Sequence, residues 1–445
     1  MKFTLFPRND FNVEVCNHRW GRAMTYCENS DTLQVGTYEP IFYSAFKNNI
    51  RLGCFVSMDY TYLQNNKTSA LAAKNNIISF DYYSAAVNKT SQDAFNQIIA
   101  IRQQWFKNLY GRYASTFSYC GSDMTYSNLG AQKFIAARSN NWNAFGNPYT
   151  WFGKSYPTGV YLGEPQIEFD RYEQMLHLMS IRWCDEVARG RYTVSEAMAA
   201  LQTDILATKN NHGFYNAFAH WHQMINNGYS GVTFSDYENY YSMLNSLNIN
   251  DDIIFTGFGE AMEYCIARLM IKKISCYTPI LSPNKVVIVA EFQNNWNPII
   301  NTEVLNTPLS IKVNLSNTPL AGKNIKLSYG NCIKLSSNQY IVDLVPPKYG
   351  NVSFVELTES SIPTELNVNR PTGTYTINNN NINVVLSQKC NVMVFRKGSN
   401  QTTRNSTIIE YLYNVTSFSI NQESGFNYAF GFINDFGKSN LIDWI

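Results

Sequence analysis

The feature that most constrains this chain is a change of periodicity near Tyr277. Upstream of it, short apolar runs alternate with amphipathic stretches of helical length. "RLGCFVSMDY" and "NNIISFDYY" are apolar runs that end in polar residues, as buried parallel strands do. In "TSQDAFNQIIAIRQQWFKNLYG", Phe95, Ile98, Ile99, Phe106 and Leu109 recur at spacings of three and four, with Arg102 as the exception on that stripe. Thr90 and Asp93 imitate a capping box before this helix, and Gly111 supplies its stop. "STFSY" from Ser115 reads as the next strand. "VSEAMAALQTDILATK", "DYENYYSMLNSL" with Ser235 and Glu238 boxing its start, and "GEAMEYCIARLMIKKI" read as further helices. Strands alternating with helices of this length predict an α/β fold, either a parallel sheet or a (β/α) barrel, over residues 1–276.

Downstream the helical period fades. "NKVVIVAEF", "LSIKVNL", "NIKLSYG", "QYIVDLV", "NVSFVEL", "GTYTI", "INVVLS" and "CNVMVFR" are short, β-branched and separated by Asn, Gly or Pro. That spacing predicts a C-terminal all-β, sandwich-like region over 277–445, suited to docking or binding rather than catalysis. The aromatic tail "SGFNYAFGFINDFGKSNLIDWI" reads as a last strand or an interface segment.

Composition narrows the function. A formal charge of +2 over 445 residues removes the basic footprint of a nucleic-acid binder. The 30 Tyr and 27 Phe are ample for a core, and rings left exposed would suit sugar faces or protein interfaces. The nine cysteines are scattered, with no Cys-x-x-Cys, which favours buried thiols over a disulfide scaffold or a zinc ribbon. "MKFTLFPRND" turns polar too early for a secretory signal, and no apolar run reaches the roughly 20 residues of a membrane-spanning helix.

In a (β/α) barrel the residues that end the strands face the active site. On that rule the candidates are Cys27, Glu28 and Asp31 after the first strand, then Asp59, Asp81 and Tyr82. Tyr119 and Asp123 follow, with His220 and His222 after a late strand. Such carboxylates and imidazoles can hold a divalent cation or divide acid and base roles. Asp31 can equally cap a turn, and Asp59 and Asp81 can cap helices. In "HWH", strand alternation puts His220 and His222 on one face and Trp221 on the other. His18 reads as a surface residue, and His177, within "RYEQMLHLMSIRW", as a structural residue of a helix.

The order of these segments resembles the polysaccharide deacetylase family, the carbohydrate esterase family 4 type of distorted (β/α) barrel. "AMTYCENSD" with "IFYSAFKNNIRLGCFVS" is similar to the family's first strand, helix and second strand. "NNIISFDYYSAAVNKTSQDAFNQIIAIRQQWFKNLYG" resembles its His-x-x-x-His strand and following helix, and "STFSYCGSDMTYSNLGAQKFIAARSNNW" its next loop. "AFAHWHQ", "FSDYENYYSMLNSLN" and "IIFTGFGEAMEYCIAR" resemble its late His strand and closing helices, so the likeness spans roughly 20–272. The resemblance implies an aspartate base and an Asp/His/His metal site, usually zinc, whose water attacks an acetyl carbonyl, with a late His as acid.

Carried over position by position, the match breaks at the metal. Cys27 occupies the base position and Glu28 that of the metal Asp. Asp81 and Ala85 stand where the two metal His belong, and Tyr119 and Cys120 replace the oxyanion loop. Only His220 or His222 matches, as the acid. A zinc ligand needs a donor atom at about 2.0–2.2 Å, and alanine offers none. The expectation is therefore a barrel without its metal triad and with no cofactor, a harder divalent cation being the alternative. Such a barrel would bind a polysaccharide or surface glycan through Tyr82, Tyr119, Trp142 and Trp221, as a recognition or structural module. A virion or cell-surface component fits that class, with other surface proteins docking on the C-terminal region. The alternatives are a hydrolase with a rebuilt site, and a purely structural assembly protein. In the hydrolase, Glu28, Asp59 and Asp81 with His220 or His222 would serve glycoside cleavage, for which carboxyls stand about 5–5.5 or 6.5–9.5 Å apart.

Overall fold

The computed structural model describes residues 12–30, 38–56, 79–83, 92–118, 134–141, 176–181, 183–210, 212–221, 231–292, 307–348, 350–361 and 369–445. Its first half alternates strands and helices: β1 (Val13–Val15), β2 (Met24–Ser30), α1 (Tyr38–Lys47), β3 (Gly53–Val56), β4 (Ser79–Tyr83), α2 (Gln92–Tyr110), β5 (Thr116–Ser118) and β6 (Ala136–Asn141). There follow β7 (Leu176–Ile181), α3 (Trp183–Ala188), α4 (Val194–Asn210), β8 (Phe214–Ala219), α5 (Phe234–Leu247), β9 (Ile253–Thr256) and α6 (Phe258–Leu269). The remainder is strand after strand: β10 (Ile271–Tyr277), β11 (Lys285–Phe292), β12 (Leu309–Asn314), β13 (Ile325–Leu327), β14 (Cys332–Lys334) and β15 (Gln339–Leu344). The last are β16 (Val352–Glu359), β17 (Gly373–Asn378), β18 (Asn381–Gly398), β19 (Thr407–Asn421), β20 (Phe426–Ile433) and β21 (Ser439–Ile442).

The described chain divides into two compact units, and the division differs from a cut at residue 276. One unit takes residues up to Ala23 and those from Glu260 to Ser361; the other takes Met24–Gly259 and everything from Asn369 on. In the first unit, two antiparallel four-stranded sheets form, in the orders β1-β12-β15-β14 and β10-β11-β16-β13. The N-terminal β1 belongs here because Val13, Glu14 and Val15 pair with Val313, Lys312 and Ile311. Leu309, Ile311, Val313, Tyr340, Val342, Val355 and Leu357 are wholly buried, at the alternate positions expected of strands with one inward face. Asp343 is buried among them. Arg19 lies 3.5 Å from its Oδ1, and the Asn331 N–H donates to its Oδ2 at 3.0 Å. Gly330 has φ +75°, and a Cβ there would stand 2.7 Å from that of Asp343, so the turn admits no larger residue without strain.

The second unit is built on eight strands hydrogen-bonded in the order β3-β4-β5-β6-β7-β8-β2-β9, all parallel where they pair. The pairings also return from β2 to β3, through Asn29↔Gly53 and Ser30↔Cys54. β2 thus serves three neighbours: β9 along its first half, β3 at its end and β8 along its whole length. His177 lies on β7, opposite Ala137 of β6, and not in a helix. The run Leu176–Ile181 is short and apolar, and pairing with β6 and β8 overrides its helical period. α5 starts two residues earlier than "SDYE" suggested. Thr233, not Ser235, is the cap: its hydroxyl accepts from the Asp236 N–H, and Asp236 answers to the Thr233 N–H. Gly111 stops α2 as expected, with φ +78° and its N–H on the Lys107 carbonyl.

The tail joins this second unit. "INVVLS" and "CNVMVFR" are one 18-residue strand, β18, with register shifts between Val385 and Cys390 that let it bend. Both of its halves then feed one cluster, with Ile382, Val384, Val392 and Val394 meeting Tyr428, Phe430 and Phe432. The opposite face of β20 packs on α1: a Cβ on Gly431 would lie 2.5 Å from the Phe46 ring. Arg370 reinforces the join by donating to the last carbonyls of α1, Phe46 and Lys47, and to Ser439. The eight described cysteines are buried and form no disulfide; Cys120 lies outside the described residues. No helix among the described residues is long and apolar enough to cross a membrane.

Candidate functional site

Alternation along β2 decides where its polar residues go. Tyr26 pairs in register with Tyr215 of β8 and Phe255 of β9. Its ring stacks on Tyr215 at 5.5 Å and meets Phe255 edge-on at 5.5 Å, and its hydroxyl contacts that of Tyr240. This face of the sheet therefore looks at α5. Glu28, two residues on, shares it. Cys27 faces the other way, in register with Asn216 and Thr256, all of them buried. On that side Arg51 donates to the Thr256 hydroxyl at 3.4 Å.

Glu28 is 1% exposed and held from α5. The hydroxyls of Tyr237 and Tyr241, one helical turn apart, both donate to its Oε1, at 2.6 and 2.8 Å. Its Oε2 accepts no hydrogen bond from the described residues. The indole of Trp221 lies beside the carboxyl, near enough to favour its charged form but outside hydrogen-bond geometry. Burial pushes the Glu28 carboxyl up to about 7, against the pull of Tyr237, Tyr241 and Trp221. The tyrosines are raised well above their ordinary range by the same burial and by the carboxylate beside them. Trp183 closes the pocket, stacked on Tyr237 at 5.6 Å and tilted on Tyr240 at 5.4 Å. Phe42 of α1 meets Trp221 edge-on at 5.8 Å.

β8 ends at Ala219, so "HWH" is not part of the strand, and His222 lies outside the described residues. Trp221 turns to the Glu28 side and is wholly buried, while His220 is half-buried with its ring edge on Phe218 at 4.9 Å. Ala219 pairs with Ser30, and Ser30 with Cys54, which in turn pairs with Phe80. His220 and Asp81 therefore stand at the same backbone level, one residue past the ends of β8 and β2, while β4 runs on to Tyr83. Tyr82 follows Asp81 on β4, opposite Val56. Asp31, Asp59, Ala85, Tyr119, Cys120, Asp123, Trp142 and His222 lie outside the described residues. His18 is buried, not a surface residue.

The residues that pattern alone did not single out are Tyr237, Tyr241 and Trp183. The signal was present: tyrosines at 237, 240 and 241 share one face of a capped helix, and four-residue spacing brings two hydroxyls to one acceptor. Among the described residues, no group of three or more His, Cys, Asp or Glu could hold a metal ion. The zinc site of a deacetylase does not fit the first strand, since Glu28 is enclosed by tyrosine hydroxyls and Cys27 points to the other face.

No family model and no curated protein sequence matches the chain. Solved structures similar to it include one assigned as a polysaccharide deacetylase from Mycobacterium smegmatis, at 11% identity and a TM-score of 0.37 over 57% of this chain and 94% of that one. Another is the catalytic domain of a peptidoglycan N-acetylglucosamine deacetylase from Eubacterium rectale, at 11% identity and a TM-score of 0.33 over 55% and 92%. Endo-glycoceramidase II from Rhodococcus sp. matches at 8% identity and a TM-score of 0.26 over 78% and 100%. At TM-scores this low the likenesses carry no argument about activity.

Proposed function

We propose that the parallel ring is a distorted (β/α) barrel of polysaccharide-deacetylase type that has lost its metal triad and serves as a carbohydrate-recognition or structural module. The observation that carries this reading is the fate of Glu28. The only carboxylate at the family's first-strand metal position is sealed against α5 by two tyrosine hydroxyls, on the face opposite Cys27. A carboxyl in that setting cannot also grip an ion at the open end of the strands. In this reading the strand ends, at the level of His220 and Asp81, contact sugar hydroxyls. A virion or cell-surface setting, with the antiparallel sheets as a docking element, belongs to the same proposal.

The test is a glycan array probed with the full-length chain, beside elemental analysis and an acetate-release assay on N-acetylated oligosaccharides. The reading expects retention of at least one glycan class, zinc well below one per chain and no acetate. One zinc per chain or acetate release would overturn it, and an array without any retained glycan would remove the recognition role and leave the structural one.

A further inference from the structure

The proposed module gives no role to the buried Glu28 carboxyl, which a hydrocarbon side chain could replace at lower cost. Burying an acid is expensive unless its oxygens are satisfied, and Glu28 has one oxygen with two donors and one with none among the described residues. Its surroundings show what it holds. Tyr237 and Tyr241 fix the carboxyl from α5. The carboxyl lies against the Trp221 indole, which also meets Phe42 of α1. Trp221 is covalently next to His220, and His220 stands level with Asp81, one residue past the ends of β8 and β2.

We infer that Glu28 is a positioning residue. Anchored by Tyr237 and Tyr241, it fixes Trp221 and through it sets the backbone at the end of β8, so that His220 is held against Phe218 at the rim. The inference rests on the reading of that rim as a recognition site only for its consequence in binding; the positioning itself is a property of the fold. A side chain packed between Phe42 of α1 and the Glu28 carboxyl defines the end of the strand more narrowly than ladder hydrogen bonds alone, because β8 stops at Ala219 and its neighbour β2 at Ser30.

The experiment compares the parent with Glu28→Gln, Glu28→Leu and Gly431→Ala. The last crowds Phe46 elsewhere in the same unit and controls for general loss of stability. Two quantities are read: amide hydrogen exchange at residues 219–221, and dissociation constants for whichever glycan the array retains. Read at pH 4.5, where the Glu28 carboxyl is protonated in the folded chain, Glu28→Gln keeps a carbonyl oxygen for both tyrosines and is expected to stay within about twofold of the parent in both. Glu28→Leu is expected to speed exchange at residues 219–221 at least tenfold, and to weaken the glycan at least tenfold. If Glu28→Leu behaves as Gly431→Ala does, or if Glu28→Gln fails to rescue, Glu28 does not position the rim. If the parent binds no glycan, the recognition reading fails while the exchange data still decide the positioning.

Discussion

Two buried acids, one in each unit, show opposite ways of keeping a carboxyl out of water. Asp343 of the antiparallel unit is met by a cation and a backbone N–H, from Arg19 and Asn331. Glu28 of the parallel unit is met only by neutral donors, the Tyr237 and Tyr241 hydroxyls. Burial raises both, but Arg19 opposes it at Asp343, whereas nothing cationic opposes it at Glu28, which reaches about 7. A guanidinium compensates charge, and hydroxyls compensate only hydrogen bonding. The first arrangement is a structural ion pair. The second is a carboxyl that changes state near neutrality and makes a poor ligand for a cation.

The largest effect expected from this contrast is a pH dependence. A carboxyl at about 7 when folded and near the ordinary 4.5 when unfolded takes up a proton on folding. Its stabilisation is full below pH 4.5 and is lost as pH rises through 7. Glu28→Gln, which mimics the protonated acid, should therefore gain about 3 kcal/mol on the parent between pH 4.5 and pH 8. Denaturant unfolding across that range reads it, and a flat difference would remove Glu28 from the neutral-donor class. Next comes Arg19→Met, which strands Asp343 in the other unit. A wholly buried pair broken in this way costs about 3–5 kcal/mol; with Arg19 21% exposed and 3.5 Å away, about 2 kcal/mol is expected. That loss should shrink at low pH as Asp343 protonates, and a pH-independent loss would mean the guanidinium acts through packing. Gly330→Ala should cost about 1.5 kcal/mol in thermal unfolding, from the positive φ and the crowding of Asp343. The smallest effect belongs to a pair left in water: Lys323→Ala, which breaks its 2.7 Å contact with Glu359, should change stability by under about 0.5 kcal/mol. A larger loss there would show that exposure is the wrong measure for ranking these charges.

Much of the architecture could be read from periodicity. β3, β4, β5 and α2 sit where their apolar patterns put them, and the β-branched runs after Tyr277 are strands. Elements whose pairing outweighs their own pattern were not legible. β6 runs through the polar "AARSNN", and His177 sits on a strand because β6 and β8 flank it. The candidate site was legible to the same degree. Trp221 and His220 do lie in different surroundings, but past the end of β8, so strand alternation is not the reason. Glu28 could be placed on its strand, but not on a face.

What the amino acids determined alone was local: which segments extend, which coil, and where Gly111 stops a helix. Those properties depend on near neighbours in the chain. Only the tertiary structure decided that residues 369–445 complete the parallel unit, through Arg370 and Gly431 against α1, and that residues 237 and 241 close over residue 28. Partners more than 200 residues apart leave no periodic trace in a sequence, and it is they that set the state of the Glu28 carboxyl.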